Sequence, residues 1–176
     1  VSSFSQNLPL VSKEGTIINS YSLTNYNELA DNMIVTAGFL VKSATSIKDK
    51  DVRVSKRLYI PSSRLRGFKS GKVGPIDGLD YIGGNYIMVF NASTTMPQVL
   101  PSLESANFSL FFDAANVWGI DYNDSIGDGS KIRSSVGLSL TWRSPLGPLT
   151  FSYAEPITKN AGDGIENFNF RIGGSF

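Results

Sequence analysis

Histidine and cysteine are both absent from this chain. Their absence removes the usual general base, the Ser–His–Asp triad, thiolate nucleophiles, disulfides and most zinc sites. What remains for chemistry is arginine and carboxylate. Arg53, Lys56, Arg57, Arg64, Arg66 and Lys69 gather in one polar stretch, and Arg66 stands in the triplet Arg66-Gly67-Phe68. A guanidinium fork offers a carboxylate two parallel, charge-assisted hydrogen bonds. One acidic candidate is the stretch from Asp121 to Asp128, but it lacks the ligand spacing and terminal bidentate Glu of a calcium loop, so it reads as a solvated loop. The other is Asp113, set in the apolar run Phe111-Phe112-Asp113-Ala114-Ala115. The residues alone leave three fates for its carboxylate: water, a neighbouring strand's Arg133 or Arg143, or Arg66. Ionic recognition without covalent catalysis, metal or cofactor is the chemistry these side chains support, so no enzyme is expected. A net charge of +1 gives no electrostatic case for nucleic acid.

The elements that carry these residues alternate with a period of two. From Lys131 to Ser144, Ile132, Val136, Leu138, Leu140 and Trp142 share one face, with Ser134 the polar member. Arg133, Ser135, Gly137, Ser139, Thr141 and Arg143 share the other. Leu149 to Ala154 repeats the pattern after the turn Ser144-Pro145-Leu146-Gly147-Pro148. In the last segment Phe168, Phe170, Ile172 and Phe176 lie on one face with Gly174, and Asn167, Asn169, Arg171, Gly173 and Ser175 on the other. Ala106 to Trp118 sends Phe108, Leu110 and Phe112 one way and Ser109, Phe111, Asp113 and Ala115 the other. Weaker strands are read at Ser2–Leu10, Thr16–Tyr26, Met33–Thr45 and Gly84–Met96, the last with mixed faces. The total is about eight antiparallel strands, several near the roughly 9–11 residues that a tilted strand needs to cross a bilayer.

Composition fits that picture. The chain is 41% hydrophobic and 18% charged, the balance expected when every second residue faces lipid and the others face a lumen. Short turns alternate with longer polar links at 46–83, 119–130 and 158–166, as in outer-membrane barrels with short periplasmic turns and long outer loops. The two Trp, at positions 118 and 142, end strands and read as interfacial anchors.

Three stretches in this order carry a resemblance: Ser62-Ser63-Arg64-Leu65-Arg66-Gly67-Phe68, then Trp142-Arg143-Ser144-Pro145-Leu146-Gly147-Pro148-Leu149, then Phe168-Asn169-Phe170-Arg171-Ile172-Gly173-Gly174-Ser175-Phe176. Together they resemble the C-terminal half of the barrel in the BamA family of outer-membrane assembly factors, within the bacterial surface-antigen superfamily of POTRA-plus-barrel proteins. The resemblance implies an all-β, antiparallel transmembrane barrel, with about eight strands of a sixteen-stranded wall present in 1–176. It implies that 46–83 is an extracellular loop folding into the lumen, with Arg66, Gly67 and Phe68 at its tip. Arg66 would meet an acidic site on the inner wall. The family's Phe-x-Asp-x-Gly pattern falls on Phe111, Asp113 and Ala115, with Ala in place of Gly. A family wall glutamate falls near Ser93.

The resemblance also implies a lateral seam at the last strand, through Phe168, Phe170, Ile172 and Phe176, with a bend at Gly173. The POTRA domains are expected upstream of this chain, and periplasmic lipoproteins of the assembly complex would bind through them. The other partners implied are the lipid bilayer and client outer-membrane proteins, and the location is the bacterial outer membrane. The function expected is non-enzymatic folding and insertion of client barrels. Rival readings are a translocation pore of the same superfamily (TamA-like or two-partner secretion), a passive porin-like channel, and a soluble β-sandwich. Upstream sequence would separate the first rival, and a need for detergent would separate the last.

Overall fold

A computed structural model describes residues 1–7, 15–30, 33–47, 51–96, 105–123, 125–126, 131–145 and 147–173. Among them lie twelve strands: β1 (Ser2–Asn7), β2 (Thr16–Ala30), β3 (Met33–Ser46), β4 (Gly67–Phe68), β5 (Ile76–Asp77), β6 (Asp80–Tyr81), β7 (Tyr86–Met96), β8 (Ala106–Trp118), β9 (Arg133–Ser144), β10 (Gly147–Thr158), β11 (Ile165–Glu166) and β12 (Phe168–Ile172). The only helical element among the described residues is one 3-10 turn, Val54–Lys56. Eight strands form one sheet in the order β1-β2-β3-β7-β8-β9-β10-β12. Every neighbouring pair is antiparallel. The fold class is therefore the all-β, antiparallel wall that the alternation predicts.

Strand lengths follow from pairing more than from local pattern. β8 has the bounds read from sequence. β2 runs past Tyr26 to Ala30 because β3 pairs with it as far as Ala30↔Met33. β10 spans Gly147–Thr158 rather than Leu149–Ala154, because β9 pairs with it along that whole length. Glu155-Pro156 breaks the local alternation there, and the neighbouring ladder overrides it. The predicted turn holds: Ser144 pairs with Gly147, whose φ of 107° suits glycine. The predicted end of the first strand, residues 8–10, lies outside the described residues.

The sheet has one apolar exposed face, carrying Phe39, Phe90, Leu110, Phe112, Val136, Leu138, Trp142 and Phe168 among others. A water-facing wall of this kind would aggregate; against lipid it is a barrel exterior. The opposite face is covered by the segment between β3 and β7. Val52, Leu58, Ile60, Leu65, Phe68 and Val73 of that segment pack on Leu40, Ala44, Ile87, Val89, Ala115 and Val117 of the wall. This core explains the mixed faces of β7. A simply polar inner face was expected; under the loop part of it is apolar, because the loop brings its own hydrophobic side chains to meet it.

Candidate functional site

Asp113 is held by the strand register. Phe112 points outward, so Asp113 points inward, and the covering loop leaves it 0% exposed. Oδ2 accepts from the Arg66 backbone N–H at 3.1 Å and from Arg66 Nε at 2.7 Å. Oδ1 accepts from Arg66 Nη2 at 2.7 Å and from Asn91 Nδ2 at 2.7 Å. The carboxylate is thus fully engaged, which is what makes its burial tolerable. The guanidinium carbon of Arg66 lies 3.3 Å from the centroid of the buried Phe111 ring. Cation–π attraction is added to the ion pair.

The site spans three adjacent wall strands. Asn91 of β7 and Ser135 of β9 stand directly opposite Asp113 in the two ladders. Asn91 Nδ2 also donates to the Arg64 carbonyl at 2.8 Å, and Ser135 Oγ donates to the Arg66 carbonyl at 2.5 Å. One row of inward side chains therefore grips both the backbone and the side chain of the loop tip. Ser93, where sequence placed the family's wall glutamate, lies opposite Phe111. The residue that meets Asp113 from β7 is Asn91. Arg133, a rival partner for Asp113, is committed to Asp163.

Gly67 and Phe68 complete the tip. Gly67 has φ of 88°, and a Cβ there would lie 3.2 Å from Ala154 Cβ. Glycine is needed both for the backbone and for the close approach. Phe68 is 1% exposed and sits in the loop core. Both pair in antiparallel fashion with β11: Ile165↔Phe68 and Glu166↔Gly67. A further glycine matters behind the site. Gly137 lies opposite Phe111 in the ladder, and a Cβ there would clash with the Tyr153 carbonyl oxygen and lie 2.5 Å from the Phe111 ring.

A second ion pair holds the base of the loop. Asp121 accepts from Arg57 Nη2 at 2.6 Å, from the Val52 N–H at 2.7 Å and from Asn85 Nδ2 at 3.0 Å. The solvated-loop reading of the 121–128 stretch is corrected here for Asp121, because Arg57 is buried and needs a carboxylate. Asp124 and Asp128 lie outside the described residues. Nearby, burial pushes the Tyr59 hydroxyl above its ordinary pKa, with Arg57 opposing, and the Asp77 carboxylate does the same for Tyr122 by accepting its proton's hydrogen bond.

The structure places Phe168, Phe170 and Ile172 elsewhere, on the exposed face of β12. Phe170 packs on Phe151 of β10 at 4.9 Å between centroids. Gly173 has φ of 96°, and its N–H donates to the Pro148 carbonyl at 2.8 Å. Phe176 lies outside the described residues. Thus Arg66, Gly67, Phe68, Phe111 and Asp113 come together in one cluster, while Phe168, Phe170, Ile172 and Gly173 lie apart from it on or just after β12, which follows β11 in the chain. Sequence reading missed Asn91, Ser135, Gly137 and Asp163. Ser135 and Gly137 were on the inward face of β9; their partners emerge only with the register.

The Omp85 superfamily domain matches residues 3–176. The chain is 28% identical over 144 residues to the outer membrane protein assembly factor BamA of Neorickettsia risticii, covering 80% of this chain and 19% of that protein. It is 33% identical over 141 residues to BamA of Neisseria meningitidis, covering 64% of this chain and 17% of that protein. The crystal structure of BamA from Haemophilus ducreyi lacking POTRA domains 1–3 superposes with a TM-score of 0.80 at 28% identity, over 96% of this chain and 37% of that one. The chain thus spans about a fifth of the length of the curated relatives it matches. With the domain match covering residues 3–176 and the fold matching that of a solved relative, the chain belongs to the Omp85 superfamily.

Proposed function

We propose that this chain is the C-terminal part of a barrel that folds and inserts other β-barrels into the bacterial outer membrane. It works without covalent chemistry or cofactor. The observation that carries this reading is the eight-stranded antiparallel wall and its likeness to the solved BamA barrel, with β12 at one border of the sheet among the described residues. An edge of that kind presents unpaired N–H and C=O groups, a template for strand addition. Its outward face is Phe168, Phe170 and Ile172, ready for lipid. A client strand adding there stays in the plane of the bilayer, with its backbone satisfied as the membrane demands.

In this reading the 46–83 segment is the extracellular loop that plugs the lumen, and the Arg66–Asp113 pair anchors it. Anchoring keeps the wall behind the seam rigid while the edge exchanges partners. The full protein would meet periplasmic lipoproteins of an assembly complex through domains upstream. The test is reconstitution. Full-length protein in liposomes is expected to speed the folding of a urea-denatured client barrel, read as the heat-modifiable band on a gel. Ion conductance or secretion of a dedicated soluble partner, with no effect on client folding, would instead favour the porin or translocation-pore reading.

A further inference from the structure

The upstream end of β12 leaves the wall. Ladder pairing with β10 runs from Leu149↔Ile172 to Tyr153↔Phe168. Ala154 N–H still donates to the Asn167 carbonyl at 2.8 Å. Beyond that, residues 165–166 pair with the loop tip instead of β10.

The cause is written in β10. In an antiparallel pair, every second residue turns its N–H toward a given neighbour. Ala154 turns its N–H to β12, so 152, 150 and 148 do likewise in one direction and 156 in the other. Positions 148 and 156 are the two prolines of β10. Neither has an N–H to give. They bracket the stretch in which β10 can donate to β12, leaving Thr150, Ser152 and Ala154. Facing β9, the same prolines would break an interior ladder; facing β12, they limit it.

The freed segment is held inward at three residues, Gly162, Asp163 and Gly164. Arg133 Nε and Nη2 donate to Asp163 at 3.0 and 3.1 Å, with side chains 6% and 1% exposed. The Gly164 N–H donates to the Lys72 carbonyl at 2.7 Å, and the Lys69 N–H to the Gly164 carbonyl at 2.9 Å. The Tyr81 hydroxyl donates to the Gly162 carbonyl. Between the loop tip and the last strand there is then continuous backbone pairing: Gly67-Phe68 to Ile165-Glu166, and directly on to Phe168.

We propose that Pro148 and Pro156 set how far the last strand zips onto the wall, and that the Arg133–Asp163 pair hands its upstream end to the loop tip. Loop and edge strand are then one mechanical unit. Arg133, Asp163 and Pro156 act as positioning residues. Their importance for client folding rests on β12 being the seam; the coupling itself does not.

Hydrogen exchange on the full-length protein in lipid nanodiscs tests the coupling separately from client folding. Asp163→Asn is expected to raise exchange about tenfold or more at the amides of Lys69, Gly164 and Asn169, with β2–β3 amides unchanged. Adding Pro156→Ala restores a donor toward β12. The double variant is expected to regain protection at Ile165 and Asn167 as that segment zips onto β10. The proposal is overturned by faster exchange confined to 159–163, by equal acceleration in β2–β3, or by no regained protection in the double variant. A client-folding assay on the same variants reads the seam: coupling present with folding unaffected would sink the functional reading and leave the coupling standing.

Discussion

At the scale of single residues, the lock at Asp113 makes the sharpest demands. Arg66→Ala leaves a buried carboxylate with only Asn91 and one backbone N–H. Breaking a buried pair in this way costs about 3–5 kcal/mol, and the loop is expected to become protease-sensitive. Arg66→Lys keeps the charge but loses the fork and much of the contact with Phe111, so its loss should be intermediate. Limited proteolysis and chemical unfolding of the two variants would rank them; equal stability of all three proteins would mean the pair contributes nothing. Gly137→Ala makes a different prediction. Its Cβ would clash with the Tyr153 carbonyl oxygen of the neighbouring strand and with the Phe111 ring under Arg66, and overpacking of that sort costs about 1–3 kcal/mol. Phe111→Leu in the same chain relieves only the ring contact and is expected to leave most of the loss, as measured by melting temperature. Of this site, the inward direction of Asp113 and Phe111 was legible from alternation alone. Arg66 as partner came from resemblance, since nothing local chooses between it, Arg133 and water. Asn91 and Ser135 were not legible, because being opposite Asp113 depends on ladders between strands distant in sequence.

For the strands, the prediction concerns faces. Leu138 is exposed and lies on the apolar side, whereas Thr141 belongs to the inner register of the same strand. Leu138→Arg is expected to cost about 2–4 kcal/mol in a bilayer if it sits near the midplane, and Thr141→Arg much less. Unfolding titrations in lipid vesicles would show the difference, and the reverse order would mean the faces are assigned backwards. Alternation made β8 and β9 readable because each side of the wall has one solvent. It failed for β7, whose inner residues Ile87 and Val89 meet a hydrophobic loop, and for the far half of β10, which its neighbour alone keeps extended. The bracket of Pro148 and Pro156 was visible in the sequence, but its meaning needs the parity of N–H directions, which only the observed pairing supplies.

Taken whole, the described sheet is a wall with one covered face, bordered by β1 and β12. That edge at β12 is the centre of the functional proposal. The most direct measurement is disulfide trapping in cells between cysteines placed along β12 of the full-length protein, at Asn169 and Arg171, and cysteines along the terminal strand of a client stalled in assembly. The account predicts cross-links that recur every second residue, in an antiparallel or parallel register fixed for the whole strand. Cross-links that form only with the lumen loop around Arg66, or none at β12 while the client still assembles, would contradict it.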